Sequence, residues 1–442
     1  MDLLKDKIKP MYLKYLAAAS GSALVGCVFG MIDAMMVGKY HGPMGNAALA
    51  VFNPVWSIIY SLGFLAGIGG SVLFAMSRGK GDEKAAQQYF TLSILYGVLL
   101  SALAMLAIGR FHEPMLRFFG ADDELFVLAR RYLVPIFFVI PCCIFNCILS
   151  AYLRNDGNPT LATNAVIIGG IFNAIADYVC VFVLDMGILG AGLATMIGQY
   201  IAVGLMLLHF VSAKNTLRFV KIDMVVQKVK DITITGFSTA ISDLALGIIG
   251  ILFNRQIMKY LGSDALAVYG VITQVTVFAQ CLAYGIGQAG QPIISQNYGA
   301  GQYGRIRECL KYCLYTSAGM GLLWTAAMVA VPNVILNFFM NPTPSVMEIA
   351  PGILRTYGIS YILLPFNIFA TYYFQAMMKP NLSAIASFAR GVVVSGVMIL
   401  MIPRLFGAEQ LWFSMVITEI LVAIFGIYYI IQLLNKNTEI SI

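Results

Sequence analysis

Long apolar runs separated by brief polar stretches mark this chain as one that crosses a membrane many times. Runs of about 20 to 30 apolar residues recur from end to end, and about 20 helical residues suffice to span a bilayer. Twelve can be drawn, at 13–37, 47–76, 89–109, 131–152, 160–184, 187–211, 231–256, 264–295, 309–333, 351–377, 382–403 and 410–434. The longest polar connection, between the third and fourth, carries Arg110, Glu113, Arg117, Asp122, Asp123 and Glu124. No connection accommodates a soluble domain. The pattern predicts an all-α integral membrane protein of twelve transmembrane helices.

Composition agrees: 60% of residues are apolar, 11% are charged, and the mean hydropathy is +0.82. Such a chain is not an ordinary soluble domain. The net charge of +7 is explained by topology and does not point to nucleic acid. With both termini cytoplasmic, 18 of the 28 Lys and Arg residues fall inside and nine outside, leaving Arg390 within a span. That bias fits the positive-inside rule and supports this orientation. The eight cysteines lie in or at the ends of apolar runs. Cys142, Cys143 and Cys147 cluster without a neighbouring His, which favours packing over metal binding. The N-terminal Lys residues lead into a long apolar run containing Asp33, the pattern of a retained first span rather than a cleaved signal.

The chain repeats itself. Ala48-Leu49-Ala50-Val51-Phe52 returns as Ala265-Leu266-Ala267-Val268-Tyr269, Gly67-Ile68-Gly69 as Gly285-Ile286-Gly287, and Gly79-Lys80-Gly81 as Gly299-Ala300-Gly301. Pro159 with its following helix matches Pro380, and the offsets stay between 217 and 221. This predicts an N-terminal lobe at 1–212, a basic cytoplasmic linker at 213–230 and a C-terminal lobe at 231–442. Parallel repeats of this kind are typical of secondary transporters, with a site between the halves.

Polar residues inside the spans carry the functional signal. The stretch 154–199 opens with Arg154-Asn155-Asp156-Gly157-Asn158-Pro159, a predicted tight turn in which Gly157 takes positive φ, Asn158 caps a helix and Pro159 starts it. Asn173 and Asp177 follow, four residues apart and so on one helix face. A second turn, 187–192, leads to a helix with Thr195 and Gln199. An intramembrane carboxylate costs about 2.5–3.5 kcal/mol on insertion scales, so Asp177 marks a function. The repeat sharpens the point, because Asn173 aligns with Val394 and Asp177 with Met398, while Gln199 aligns with Glu419. Asp33, near the outer end of the first span, is either solvated at the interface or turned into a cavity close to Asp177; its apolar neighbours favour the cavity. Two carboxylates in one low-dielectric pocket require a neutralising cation, either a proton or a sodium ion with Asn173 and Thr195 as neutral oxygen ligands.

In the second half Asp243, Glu419 and Arg390 are the ionisable residues within spans, and Arg390 pairs with either acid, for function or for structure. Gln274, Gln280, Gln288 and Gln291 line a path or bond neighbouring helices, with helix bonding favoured. Gly299-Ala300-Gly301-Gln302-Tyr303-Gly304 fits G-x-G-x-x-G, but no βαβ unit surrounds it, so it reads as a helix end. His41, His112 and His209 are scattered loop or interface residues, and no clustered catalytic set is present. The chain therefore reads as a non-enzyme.

These elements resemble the multidrug and toxic compound extrusion (MATE) transporters over essentially the full length. The resemblance rests on Asp33 with Val37-Gly38, Ser77-Arg78-Gly79-Lys80-Gly81-Asp82, Asn155-Asp156-Gly157-Asn158-Pro159, Asn173 with Asp177, Gly190-Ala191-Gly192, and Gln291-Pro292 through Asn297-Tyr298-Gly299-Ala300-Gly301. It implies two six-helix lobes exporting cationic or amphipathic small molecules against a proton or sodium gradient by alternating access. By that resemblance Asp33, Asn173, Asp177 and Thr195 form the coupling site; Gln199, Asp243, Gln274, Gln288, Arg390 and Glu419 are second-rank candidates for the substrate path. No other cofactor is implied. The expected partners are the substrate and membrane lipids, not nucleic acid, and nothing in the chain requires a second copy. The chain departs from the family at one place: a Pro that often bends the first span is replaced by Ala17-Ala18-Ala19-Ser20-Gly21, where Gly21 is the remaining weak point. The rival reading is a lipid or lipid-linked metabolite flippase, which would want several basic residues in its cavity; Arg390 is the single clear mid-span one.

Overall fold

The computed structural model describes residues 2–340 and 342–439, the side chains of Pro43, Asp243, Leu246 and residues 436–439 excepted. The described chain is helical, with no strand among the described residues. The helices are α1 (Ile8–His41), α2 (Pro43–Gly79), α3 (Glu83–Phe118), α4 (Asp123–Asn155), α5 (Pro159–Tyr178), α6 (Ile188–Leu207), α7 (Val225–Tyr260), α8 (Ser263–Gly299), α9 (Tyr303–Ala330), α10 (Pro332–Phe339), α11 (Pro344–Gly358), α12 (Leu364–Ala376), α13 (Pro380–Phe388), α14 (Val394–Phe406) and α15 (Phe413–Glu439). Among the described residues, twelve segments are long and apolar enough to cross a membrane, α11 with α12 and α13 with α14 each making one. The protein is a multi-pass membrane protein.

Two compact units form. The first takes Met1–Asp6 and Ala17–Ala240, the second Lys7–Leu16 and Ile241–Ile442. In lipid, helices gain little from burying apolar surface against one another and associate instead through close packing of small residues. In the first unit α2 meets α4 in this way: a Cβ at Gly67 would stand 3.0 Å from the Cys147 carbonyl, and one at Gly63 2.9 Å from the Cys147 Cβ. The cysteine cluster is thus a packing surface. Edge-to-face rings fill the rest, with Phe52 on Tyr132 at 5.2 Å and Phe74 on Tyr152 at 5.3 Å. The start of α7 also belongs here, because Gly69 and Gly236 let α2 and α7 meet backbone to backbone. In the second unit, Phe253, Tyr269 and Trp412 stack, and the Tyr12 ring packs on Tyr312 while its hydroxyl bonds Thr316.

Both halves reproduce the same punctuation. α2 and α8 each run 37 residues and end in a two-residue turn with a left-handed glycine, Gly81 (φ 78°) or Gly301 (φ 69°). The G-x-G-x-x-G stretch is therefore a helix end, as predicted. α1 is one continuous helix through Gly21, and Thr163 of α5 donates to the Ala18 carbonyl at 2.7 Å.

The basic stretch between the halves is stitched onto the first unit. Gln87 donates to the Thr216 carbonyl (2.9 Å) and accepts from the Arg218 amide (2.7 Å), Thr91 accepts from the Val220 amide, and Gln88 donates to the Lys221 carbonyl. The knot at its start is Asp156. Its carboxylate accepts from Arg78 Nη1 (3.0 Å), His209 Nε2 (2.7 Å), the Thr216 amide (2.9 Å) and the Thr216 hydroxyl. Burial works against the charged form of Asp156, but the bonds from His209 and Thr216 and the charge of Arg78 outweigh it and hold the carboxyl below its ordinary range.

Two sequence expectations change here. Asn158 does precede α5, but it makes no capping bond; its amide lies 3.2 Å from His209 Nδ1. His209 is not an interface residue: it is fully buried, its imidazole bridging Asn158 and Asp156.

A group with a depressed folded-state pKa stabilises above its ordinary pKa and loses that contribution as pH falls through the folded value. Amide exchange at 215–221 is accordingly expected to stay slow from neutral pH down to about pH 4, and to rise only below it. Asp156→Asn should speed that exchange at neutral pH by roughly ten- to a hundredfold, the equivalent of about 1.5–3 kcal/mol for bonds to a charged group. Unchanged exchange in Asp156→Asn would show that the other bonds hold the stretch alone.

Candidate functional site

The site lies in the first unit and its geometry is set by how α5 begins and ends. Gly157 adopts φ 75° and Pro159 takes the first helical turn, as the local sequence predicts. α5 then passes into a π-helical turn, Val179–Val183, where the Leu184 amide reaches back to the Val179 carbonyl at 2.9 Å. Such turns widen a helix and are frequent at functional sites. This one follows Asp177 by two residues.

α5 and α6 pack through bare backbone. A Cβ on Gly169 would stand 2.5 Å from the Gly198 carbonyl oxygen, and one on Gly198 2.7 Å from the Gly169 oxygen. The close approach brings Asn173 to Thr195, whose hydroxyl accepts from Asn173 Nδ2 at 3.4 Å. The predicted turn at 187–192 narrows to Gly187 (φ 57°); α6 already starts at Ile188, so Gly190 and Gly192 lie within it. They admit the Cys180 carbonyl and the Pro135 ring. Overpacking of this kind costs about 1–3 kcal/mol, and Gly198→Ala is expected to destabilise by that amount. Gly204→Ala on the same helix, where a Cβ meets nothing within 4 Å, should not. Equal thermal unfolding of the two variants in detergent would contradict this account.

A cavity of about 270 Å³ opens beside this contact. Asp33, Asn173, Thr195 and Gln199 line it, together with Trp56, Tyr60, Tyr132 and Asn146, and none of its lining residues is basic. Asp33 is thus on the cavity wall. Its Oδ2 accepts from the Tyr132 hydroxyl at 3.2 Å, while Oδ1 is buried without a hydrogen-bond partner among the described residues. Asp177 sits one turn beyond Asn173, behind the wall: it is fully buried, and neither carboxylate oxygen is hydrogen-bonded by a described residue. The two acids are near enough to repel each other. Gln199 Oε1 accepts from Asn146 Nδ2 at 2.9 Å.

Sequence reading grouped Asp33, Asn173, Asp177 and Thr195; the structure puts Asp33, Asn173 and Thr195 on one cavity wall with Gln199, and Asp177 one helical turn beyond Asn173, behind that wall. It missed Tyr132 and Asn146, which α4 contributes. A tyrosine in an apolar run carries no mark of its neighbours, although Asn146 was a polar residue in mid-span and offered a signal.

Of the second-rank candidates Gln199 lies in the first unit, and the others fall in the second. Arg390 pairs with Glu419; Asp243 lies outside the residues whose side chains are described. Gln274 is exposed, Gln288 is half-buried, and Gln291 bonds Gln375 across helices at 3.3 Å.

Comparison with known proteins follows this architecture. A family model described as MatE matches residues 19–179 and 238–401. The multidrug export protein MepA of Staphylococcus aureus (strain MRSA252) is 23% identical over 423 residues, 94% of this chain and 92% of that protein. The MepA of Staphylococcus saprophyticus is 22% identical over 418 residues, with the same coverage of 94% and 92%. Among solved structures, an outward-facing multidrug resistance MATE family transporter of the MOP superfamily superposes with a TM-score of 0.91 at 20% identity, covering 99% of this chain and 98% of that one. A MOP superfamily transporter from Pyrococcus furiosus gives 0.89 at 20% identity, again over 99% and 98%. Those structures speak for the fold, and the family model covers most of both halves of the repeat: the chain belongs to the MatE family of membrane transporters.

Proposed function

We propose that this transporter is an antiporter that exports organic cations or amphipathic drugs in exchange for protons or sodium ions. The observation that carries the reading is the acidic cavity of the first unit: Asp33 stands on its wall, Asp177 is fully buried behind that wall, and none of the described residues lining it is basic. Buried anionic charge without a partner is costly, so the pocket demands a cation. A proton on either acid meets that demand. So does a sodium ion held by carboxylate oxygens, with Asn173 and Thr195 completing its ligands. An organic cation meets it too, through its charge and through the Trp56, Tyr60 and Tyr132 rings.

Only one of these can occupy the pocket at a time. Competition for the same carboxylates is what makes exchange obligatory: the coupling ion displaces the substrate on one side of the membrane and is released on the other. The drug-export names of the MepA relatives favour the same substrate class. Insertion in the plasma membrane with both termini cytoplasmic, and action as a single copy, belong to the same proposal.

The test uses purified protein in liposomes, with proton and sodium gradients imposed separately while a fluorescent organic cation is followed. Movement driven by one gradient is expected and names the ion. No movement under either gradient would overturn the proposal.

A further inference from the structure

The second unit contains a smaller cavity, about 100 Å³, that the proposed exchange does not use. Among the described residues its charged wall is one ion pair. Arg390 lies in a π-helical turn, Ala389–Val393, and Glu419 on α15. Arg390 Nε and Nη2 both reach Glu419 Oε1, at 2.9 Å each, and Glu419 Oε2 accepts from Asn367 Nδ2 at 2.6 Å. Both carboxylate oxygens are engaged, whereas two of the guanidinium's five N–H groups serve a single oxygen. Gln280 also lines the cavity, is 4% exposed, and its amide bonds no other described residue. The hydroxyl-bearing Thr273, Thr276 and Ser360 also line it.

Ionised, the pair is neutral, and an added ion of either sign meets a like charge. A proton alone on Glu419 would strand a buried guanidinium, and an anion alone would face the carboxylate. A proton and an anion arriving together leave the cavity neutral with every charge paired. We propose that the second unit binds a small monovalent anion, a halide or short carboxylate, together with one proton. The proton, taken from solution, forms the Glu419 O–H. The anion takes the carboxylate's place on Arg390, with the Gln280 amide as a further donor. No electrons move. This goes beyond the cation exchange proposed for the first unit and does not depend on it.

Few other groups face the pair. The phenols of Tyr357 and Tyr284 stand near enough to feel its charge, and Tyr269 also lines the cavity. α7 contributes Ile249 and Gly250 to the wall and carries Asp243 two turns earlier; Asp243 is therefore tested separately.

The experiment is calorimetric titration of the purified full-length protein with chloride and with acetate, in gluconate medium, at several pH values. Affinity is expected to strengthen on acidification by as much as tenfold per pH unit, with one proton taken up per anion, read from the dependence of the heat on the buffer. Glu419→Gln keeps the side chain's size and is expected to bind the anion at every pH without proton uptake, a gain that a purely structural ion pair would not give. Arg390→Gln should not bind, and Asp243→Asn should leave proton uptake intact. The proposal is overturned if the wild type binds neither anion, if its binding ignores pH, if folded Glu419→Gln fails to bind, or if Asp243→Asn abolishes proton uptake.

Discussion

Asp177→Asn is expected to bring gradient-driven export down to the level of protein-free liposomes while leaving the protein folded. The reason is the isolation of its carboxylate. Neither oxygen has a hydrogen-bond partner among the described residues, and the side chain is fully buried, so no described bond that holds the fold is lost on substitution. Asparagine has the same shape and removes a charge whose burial is costly. Thermal unfolding in detergent should therefore stay within about 1 kcal/mol of the wild type or rise. Transport should not survive, because Asn binds neither a proton nor, with any strength, a cation. Asp33→Asn should also uncouple transport. Export by Asp177→Asn at the wild-type rate under the same gradient would remove Asp177 from the coupling machinery.

How far the sequence anticipates this arrangement depends on the kind of information involved. The twelve crossings follow from run length, because a bilayer sets a minimum that no soluble helix needs to meet. Gly157, Pro159, Gly81 and Gly301 follow from local backbone chemistry, and they sit where the turns require them. The acids follow from cost, since a charge in a span calls for a reason.

What escapes is which side of each helix faces which neighbour. A helix that is apolar all round offers no stripe to read. Tyr132 is indistinguishable in sequence from Tyr152, yet one bonds Asp33 and the other Ser93. The Asp156 knot escapes for a different reason. Arg78, His209 and Thr216 lie far along the chain from Asp156, and the motif Asn155-Asp156-Gly157-Asn158-Pro159 announces only the turn. The π-helical turns at Val179–Val183 and Ala389–Val393 have no glycine or proline rule to give them away.

The Arg390–Glu419 pair gives the second large expected effect. Removing one partner of a buried pair leaves an uncompensated charge and costs about 3–5 kcal/mol, whereas replacing both by apolar residues of similar size is often neutral or stabilising. Arg390 is 8% exposed and Glu419 1%, so the rule applies to both. Arg390→Met and Glu419→Leu are each expected to lose about 3–5 kcal/mol, and the double variant to return to within about 1 kcal/mol of the wild type. The cycle would then report a coupling of several kcal/mol. Single variants as stable as the wild type would mean that the pair is not desolvated as the structure places it. Glu419→Gln connects this ledger to the anion site: in gluconate it should share the single-variant loss, because Arg390 is unpaired, and chloride should restore stability in proportion to the logarithm of its concentration once the site is largely filled. The Arg390→Met/Glu419→Leu protein, with no charge left to satisfy, should be indifferent to chloride. A salt bridge that serves only to fasten α15 would respond to chloride in neither variant.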